Sequence, residues 1–192
     1  MSYENITDSD YIKRHREQTK KLIETKYASN GDGIEALEDA NFRYSVLVNY
    51  YKAPDLNSHY WELIKLSVFN GDNLIAEMYR NYPSVNYCFA KQGDNEYLIT
   101  SEDYQCITII DLHTGDIQTY GNLDRLKIGG GFCPIEFSWD EFDNRLKITG
   151  CVWGCPYEDM LTLIPDLKKP DFSTAIFRDN IKQYDDWDED DD

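Results

Sequence analysis

Between about Phe42 and Phe177 the chain repeats one local pattern. A short run rich in Val, Ile, Leu and aromatics meets a turn signal, and another such run follows. Tyr44–Tyr51 is the first run, closed by Ala53-Pro54-Asp55. Trp61–Phe69 and Leu74–Tyr82 flank Asn70-Gly71-Asp72, and Asn-Gly between two such runs is the strongest short hairpin signal. Tyr87–Ala90 and Tyr97–Thr100 flank Gln92-Gly93-Asp94-Asn95. Cys106–Leu112 and Ile117–Tyr120 flank His113-Thr114-Gly115-Asp116. Ile135–Trp139 and Leu146–Cys151 flank a turn from Asp140 to Asn144, and Met160–Ile164 and Thr174–Arg178 complete the series. Short strands at this spacing predict an antiparallel, mainly β architecture. No alternation of helix and strand argues for a parallel sheet.

Two stretches echo each other. Glu96–Thr100 leads to Thr108–Leu112, and Arg145–Thr149 leads to Leu161–Leu167, with a longer middle from Gly150 to Glu158. Trp61–Tyr82 reads as a degenerate earlier copy. Strand, turn, strand and an Asp-Leu exit is the pattern of propeller blades. A closed ring needs at least four blades of about 40 residues, and 192 residues are too few. The expectation is therefore two or three propeller-like meanders, packed by an N-terminal helix or closed by oligomerisation.

That helix is expected from about Asp10 to Tyr27, capped by Asp8 or Ser9, with a weak apolar stripe of Tyr11, Ile12, Leu22, Ile23 and Tyr27. It is the one cationic segment of the chain. Asn30-Gly31-Asp32-Gly33 ends it, and a short helical piece from Ile34 to Asn41 is expected next. The domain reading is a basic helical segment over 1–33, an antiparallel β domain over 34–184 and an acidic, disordered tail over 185–192.

Charge narrows the partners. The formal net charge is −17, from 36 acidic and 19 basic side chains. Such a chain is repelled by nucleic acid phosphates and by anionic membranes, so neither is expected as a partner. The final eight residues hold seven of the acids, and the remaining 29 acids against 19 bases leave −10. Aromatics at 14% separate this chain from disordered acidic ones. The N-terminus lacks the pattern of a secretory signal, and no apolar run reaches the ~18 residues of a membrane span. With an odd count of five cysteines, this points to reduced thiols and a cytoplasmic location.

The pieces Glu96–Thr100, Glu102–Gln105, Ile110–Leu112, Thr114-Gly115, Gly129–Cys133 and Gly150-Cys151-Val152-Trp153-Gly154-Cys155-Pro156-Tyr157-Glu158 resemble a group of uncharacterised bacterial and viral proteins. These carry a Gly-Cys-x-Trp-x-Cys-Pro-Tyr-Glu signature in a β-meander similar to part of a propeller. The resemblance covers roughly residues 60–178. It implies a fold and no established activity, and it omits the helix and the tail.

Cys133, Cys151 and Cys155 form the most chemical-looking constellation. Structural zinc favours paired Cys-x2–4-Cys spacings or histidine partners. A second pair is missing, and His15, His59 and His113 lack ligand spacing. A redox pair of Cys151 with Cys155 lacks the Cys-x-x-Cys spacing that lowers a thiol pKa. Buried thiols acting as small core fillers are the plainer reading. Gly129-Gly130-Gly131 lacks the Lys-Ser/Thr of a phosphate loop and reads as a connector. Acid pairs such as Glu102-Asp103 are too common in so acidic a chain to name a site.

The candidate binding residues are Trp153, Cys155, Tyr157 and Glu158 on the long loop of the second echo, and Trp187 and Asp188 in the tail. Aromatics on a loop offer compact contact surface at low entropic cost. The simpler alternative is that Trp153 and Tyr157 seal the sheet end, and that the tail is only solvated. The functional expectation is a non-catalytic acidic module that binds another protein with a basic surface, to inhibit or neutralise it. No cofactor is implied. A cysteine-centred or metal-assisted enzyme and a structural part of a larger assembly are the alternatives.

Overall fold

A computed structural model describes residues 3–25, 27–37, 42–54, 62–152 and 157–179. The chain opens with the two-residue strand β1 (Glu4–Asn5) and helix α1 (Asp10–Thr25). Three consecutive four-stranded meanders follow. The first comprises β2 (Ala28–Leu37), β3 (Tyr44–Lys52), β4 (Glu62–Asn70) and β5 (Asn73–Arg80). The second comprises β6 (Cys88–Gln92), β7 (Asn95–Thr100), β8 (Ile107–Asp111) and β9 (Ile117–Gly121). A short helix, α2 (Leu123–Ile128), leads to the third: β10 (Phe132–Asp140), β11 (Arg145–Val152), β12 (Tyr157–Leu163) and β13 (Ile176–Asp179). Each sheet is antiparallel with its strands in chain order, and β1 extends the second sheet beside β9. Among the described residues the sheets stay open, and neither a barrel nor a ring is closed.

The middle meander is covered on both faces. On one, Ala90, Tyr97, Ile99, Ile107 and Ile109 pack with Phe132, Phe137, Leu146, Ile148 and Met160 of the third sheet. On the other, Leu98 and Ile110 pack with Val46, Val48, Ile64, Leu66, Val68 and Met78 of the first. Its strands therefore read as continuous apolar runs, Tyr97-Leu98-Ile99 and Ile107-Thr108-Ile109-Ile110, because both side-chain directions are buried. β11 alternates instead: Leu146 and Ile148 are buried while Arg145 and Lys147 face outward. The three sheets thus stack as layers with the second in the middle.

α1 starts where Ser9 caps it: the Ser9 hydroxyl accepts from the Ile12 N–H at 3.3 Å and its carbonyl from the Lys13 N–H at 3.1 Å. Its buried stripe is Ile12, His15, Thr19 and Ile23. The polar His15 and Thr19 in that stripe explain why the apolar pattern looked weak. Ile12 packs with Ile6, Cys106 and Leu126. Ile23 and Tyr27 pack on Leu63.

The helical piece expected over Ile34–Asn41 is corrected: the chain is strand as far as Leu37, and residues 38–41 lie outside the described residues. Pairing of Ile34 with Asn49 and of Leu37 with Val46 overrides local propensity. The Asn30–Gly33 signal appears as an irregularity of register between Ser29 and Ile34, and β2 runs across position 33. The tail, 185–192, lies outside the described residues. No described helix is long and apolar enough to cross a membrane.

Burial also sets an alkaline limit. It raises the phenols of Tyr3 and Tyr11, with the Asp103 charge adding to the latter, and pushes Tyr120 up to about 12. An unfolded tyrosine ionises near 10.0. The folded state holds these protons more tightly, so the associated stability is present below about pH 10 and is lost as pH rises past it. In a phenolate absorbance titration, Tyr120→Phe should remove a component near pH 12. Tyr3 and Tyr11 should ionise only as the fold is lost. Every tyrosine titrating near pH 10 with the fold intact would contradict this burial.

Candidate functional site

The loop 101–106 between β7 and β8 is buried throughout except Tyr104, so each of its polar groups needs a partner. Arg16 of α1 grips Glu102 with two hydrogen bonds, Nε to Oε2 at 2.7 Å and Nη2 to Oε1 at 2.8 Å. The Thr119 hydroxyl also donates to Glu102 Oε1. His15 Nε2 donates to the Glu102 carbonyl at 3.0 Å. Asp103 Oδ2 accepts from Asn81 Nδ2 at 3.0 Å and from the Tyr11 hydroxyl at 3.2 Å, and Oδ1 accepts from the Gln105 N–H at 3.0 Å. Arg80, 1% exposed, donates from Nε to the Ser84 carbonyl at 2.6 Å and from Nη1 to the Ser101 carbonyl at 2.5 Å. Burial lowers its guanidinium to about 10, and the Asp103 charge opposes that shift. With all four carboxylate oxygens engaged, this cluster ties α1 to the second sheet.

The opposite end of the stack carries hairpin turns. Gln92 connects them: its Nε2 donates to Asn144 Oδ1 at 2.8 Å and to the Ile164 carbonyl at 3.0 Å, and its Oε1 accepts from the Leu167 N–H at 2.7 Å. Gln118 Nε2 reaches the Lys168 carbonyl at 3.1 Å. Asp94, Asp116, Asp140, Glu141, Asp143, Asp166 and Asp171 are exposed here, interrupted by Lys168, Lys169 and Arg145, which pairs with Asp143 at 3.5 Å. Phe142, between Glu141 and Asp143, is 99% exposed. Its turn is well tied. Asp140 Oδ1 accepts from the Phe142 and Asp143 N–H groups at 2.9 and 3.2 Å, and the Asn144 carbonyl accepts from the Ile164 N–H at 2.8 Å. Asn144 adopts the left-handed φ of 49° that Asn tolerates in such turns.

The cysteines divide into two kinds. Cys106 lies fully buried under α1 and α2, and Cys88 packs against the main core; burial pushes the Cys88 thiol up to about 12 and raises that of Cys106 well above its ordinary value. Both fit the core-filler reading. Cys133 and Cys151 are half-buried and stand directly opposite each other on β10 and β11. No cluster of three or more potential metal ligands occurs among the described residues.

Of the residues singled out in the sequence, Trp153, Cys155, Trp187 and Asp188 lie outside the described residues. The backbones of Tyr157 and Glu158 begin β12, opposite Cys151 and Gly150. Gly129 is the left-handed end of α2, φ 72°, with its N–H on α2 carbonyls, so the glycine run is a helix cap and a connector. Phe142 was missed, although a large apolar residue inside Asp-Glu-Phe-Asp-Asn departs from ordinary turn chemistry. Arg80 and the Glu102-Asp103 pair gave no local signal, since their partners lie on three separate elements.

These features define a stacked β-meander protein with an acidic turn face. Over 115 residues it is 27% identical to an uncharacterised protein of Acanthamoeba polyphaga mimivirus, a stretch covering 60% of this chain and 44% of that one. The matched stretch is under half of the viral protein's length. No family model matches the chain, and no solved structure matches it.

Proposed function

We propose that the protein is a non-catalytic binding module that engages a basic surface of another protein, with the Asp140–Asn144 turn at the centre of contact. The observation that carries this is Phe142, an aromatic side chain 99% exposed on a tied turn flanked by acids. Binding energy concentrates in a few such anchors, and surrounding acids speed encounter with a cationic partner. Saturation of Glu102 and Asp103 supports the non-catalytic part of the reading. Inhibition or neutralisation of the partner is the expected consequence.

The test is capture from the native host, comparing wild type with Phe142→Ala and with the triple variant Asp140→Asn/Glu141→Gln/Asp143→Asn. Truncating an anchor costs about 2 kcal/mol or more. The Phe142→Ala variant should therefore lose roughly 30-fold or more in affinity, with thermal unfolding unchanged. Binding should weaken from low to physiological salt. Deleting 185–192 measures what Trp187 and Asp188 add. Equal capture by wild type and Phe142→Ala, or binding indifferent to salt, would sink the proposal.

A further inference from the structure

We propose that Cys133 and Cys151 are an oxidation site: a thiol pair that closes to a disulfide across β10 and β11 when glutathione disulfide is supplied as oxidant. The register brings them together. From Asp140↔Arg145 back to Glu136↔Thr149 the partners run in step, and continued unchanged that register would set Cys133 against Val152. An irregularity between Pro134 and Glu136 inserts one residue, so that Phe132 faces Val152 and Cys133 faces Cys151. Phe132 and Val152 pack into the core, so their neighbours Cys133 and Cys151 share the opposite face of the sheet.

The spacing suits a labile bond. Pro134 has no N–H to give the ladder, and its carbonyl accepts from Asn86 Nδ2 at 3.3 Å. Cα atoms of directly opposed antiparallel partners such as Cys133 and Cys151 lie about 4.5–5.5 Å apart, within the disulfide range. Cβ separations in such pairs are about 4.5–5.5 Å, against about 3.5–4.5 Å in a disulfide. Closure therefore draws the strands together. β10 is an edge strand with a bulge at this point, and Gly150, beside Cys151, presents no Cβ to the Cys133 carbonyl. A strained, half-exposed disulfide is readily reduced, the property of a reversible switch and not of a permanent staple.

The reaction balances. One cysteine thiolate attacks a sulfur of glutathione disulfide, the S–S bond breaks, and a glutathione thiolate leaves and takes up a proton. The second cysteine, deprotonated, attacks the mixed disulfide and displaces the other glutathione. Two protein thiols lose two electrons, and glutathione disulfide is reduced to two molecules of glutathione. Cys106 is fully buried, and Cys88, half-buried, packs against the core where burial pushes its thiol up to about 12, so neither supplies a ready thiolate.

Peptide mapping under non-reducing conditions, after incubating the full chain in glutathione redox buffer, tests this. The expected product is a Cys133–Cys151 linked peptide, two hydrogens lighter and reopened by excess reduced glutathione. Cys106 should be alkylated only after denaturation, and Cys88 more slowly than the pair. The Cys155→Ser variant should give the same link, and Cys151→Ser should give none. The proposal is overturned if the link joins Cys155 to either cysteine. It is equally overturned if only glutathione adducts form, or if both thiols alkylate readily without ever linking. Wild-type mapping needs no variant to fold.

Discussion

Replacing Asp103 by asparagine should lower the free energy of unfolding by about 1–3 kcal/mol, the range for leaving buried hydrogen-bond partners imperfectly satisfied. Asp103 is 1% exposed, as is Arg80, whose guanidinium lies under its influence. Asparagine keeps the shape and removes the charge. Arg80 then stays buried among the carbonyls of Ser84 and Ser101 without a counter-charge. Asn81 Nδ2 and the new amide compete as donors at the same place. Whole-domain stabilities are about 5–15 kcal/mol, so the urea midpoint should fall steeply while the slope holds. Adding Arg80→Met should recover part of the loss, because the uncompensated charge goes with it. The comparison with Glu102→Gln is informative. Its partner Arg16 is 32% exposed and can turn to water, so that loss should be smaller. A loss under about 1 kcal/mol for Asp103→Asn would mean that Arg80 is compensated elsewhere.

Gly150→Ala should cost about 3 kcal/mol, the upper part of the usual range for overpacking. A Cβ there would stand 2.4 Å from the Cys133 carbonyl oxygen and 2.5 Å from Phe132 Cζ. Phe132 is fully buried in the main core and has nowhere to swing. The alternative is for β10 to part from β11, which gives up ladder hydrogen bonds. Gly130→Ala is the control. Its nearest neighbours would be 3.7 Å and beyond, so its effect should stay within about 0.5 kcal/mol. Equal denaturation midpoints for the two variants would show that the β10–β11 contact yields without cost.

Much of the architecture was legible because it rests on local chemistry. Asn70-Gly71, Gln92-Gly93 and Asp140–Asn144 turn the chain where their residues allow, and strands lie on either side. The apolar run Cys106–Leu112 announced a strand, but its burial on both faces is a fact of the stacking. The helix expected from Asp10 was found there, but its stripe was half hidden. His15 and Thr19 are buried on it only because Glu102 and the packed sheet receive them. The candidate site was far less legible. Phe142 is an unusual residue for its turn, but whether it folds onto the core or stands in solvent is decided by the packing around it.

What the sequence by itself determined is the succession of short antiparallel strands, the N-terminal helix and the acidity, because turn chemistry, periodicity and charge are properties of neighbours in the chain. Only the tertiary structure decided which meander lies in the middle, how Tyr11 and Asn81 meet at Asp103, and that Cys133 faces Cys151. The last case shows the reason. Side chains alternate along a strand, so a single inserted residue near Pro134 exchanges which pairs meet across it. Nothing in the composition of either strand records that insertion, since it is set by how β10 packs between the second sheet and β11.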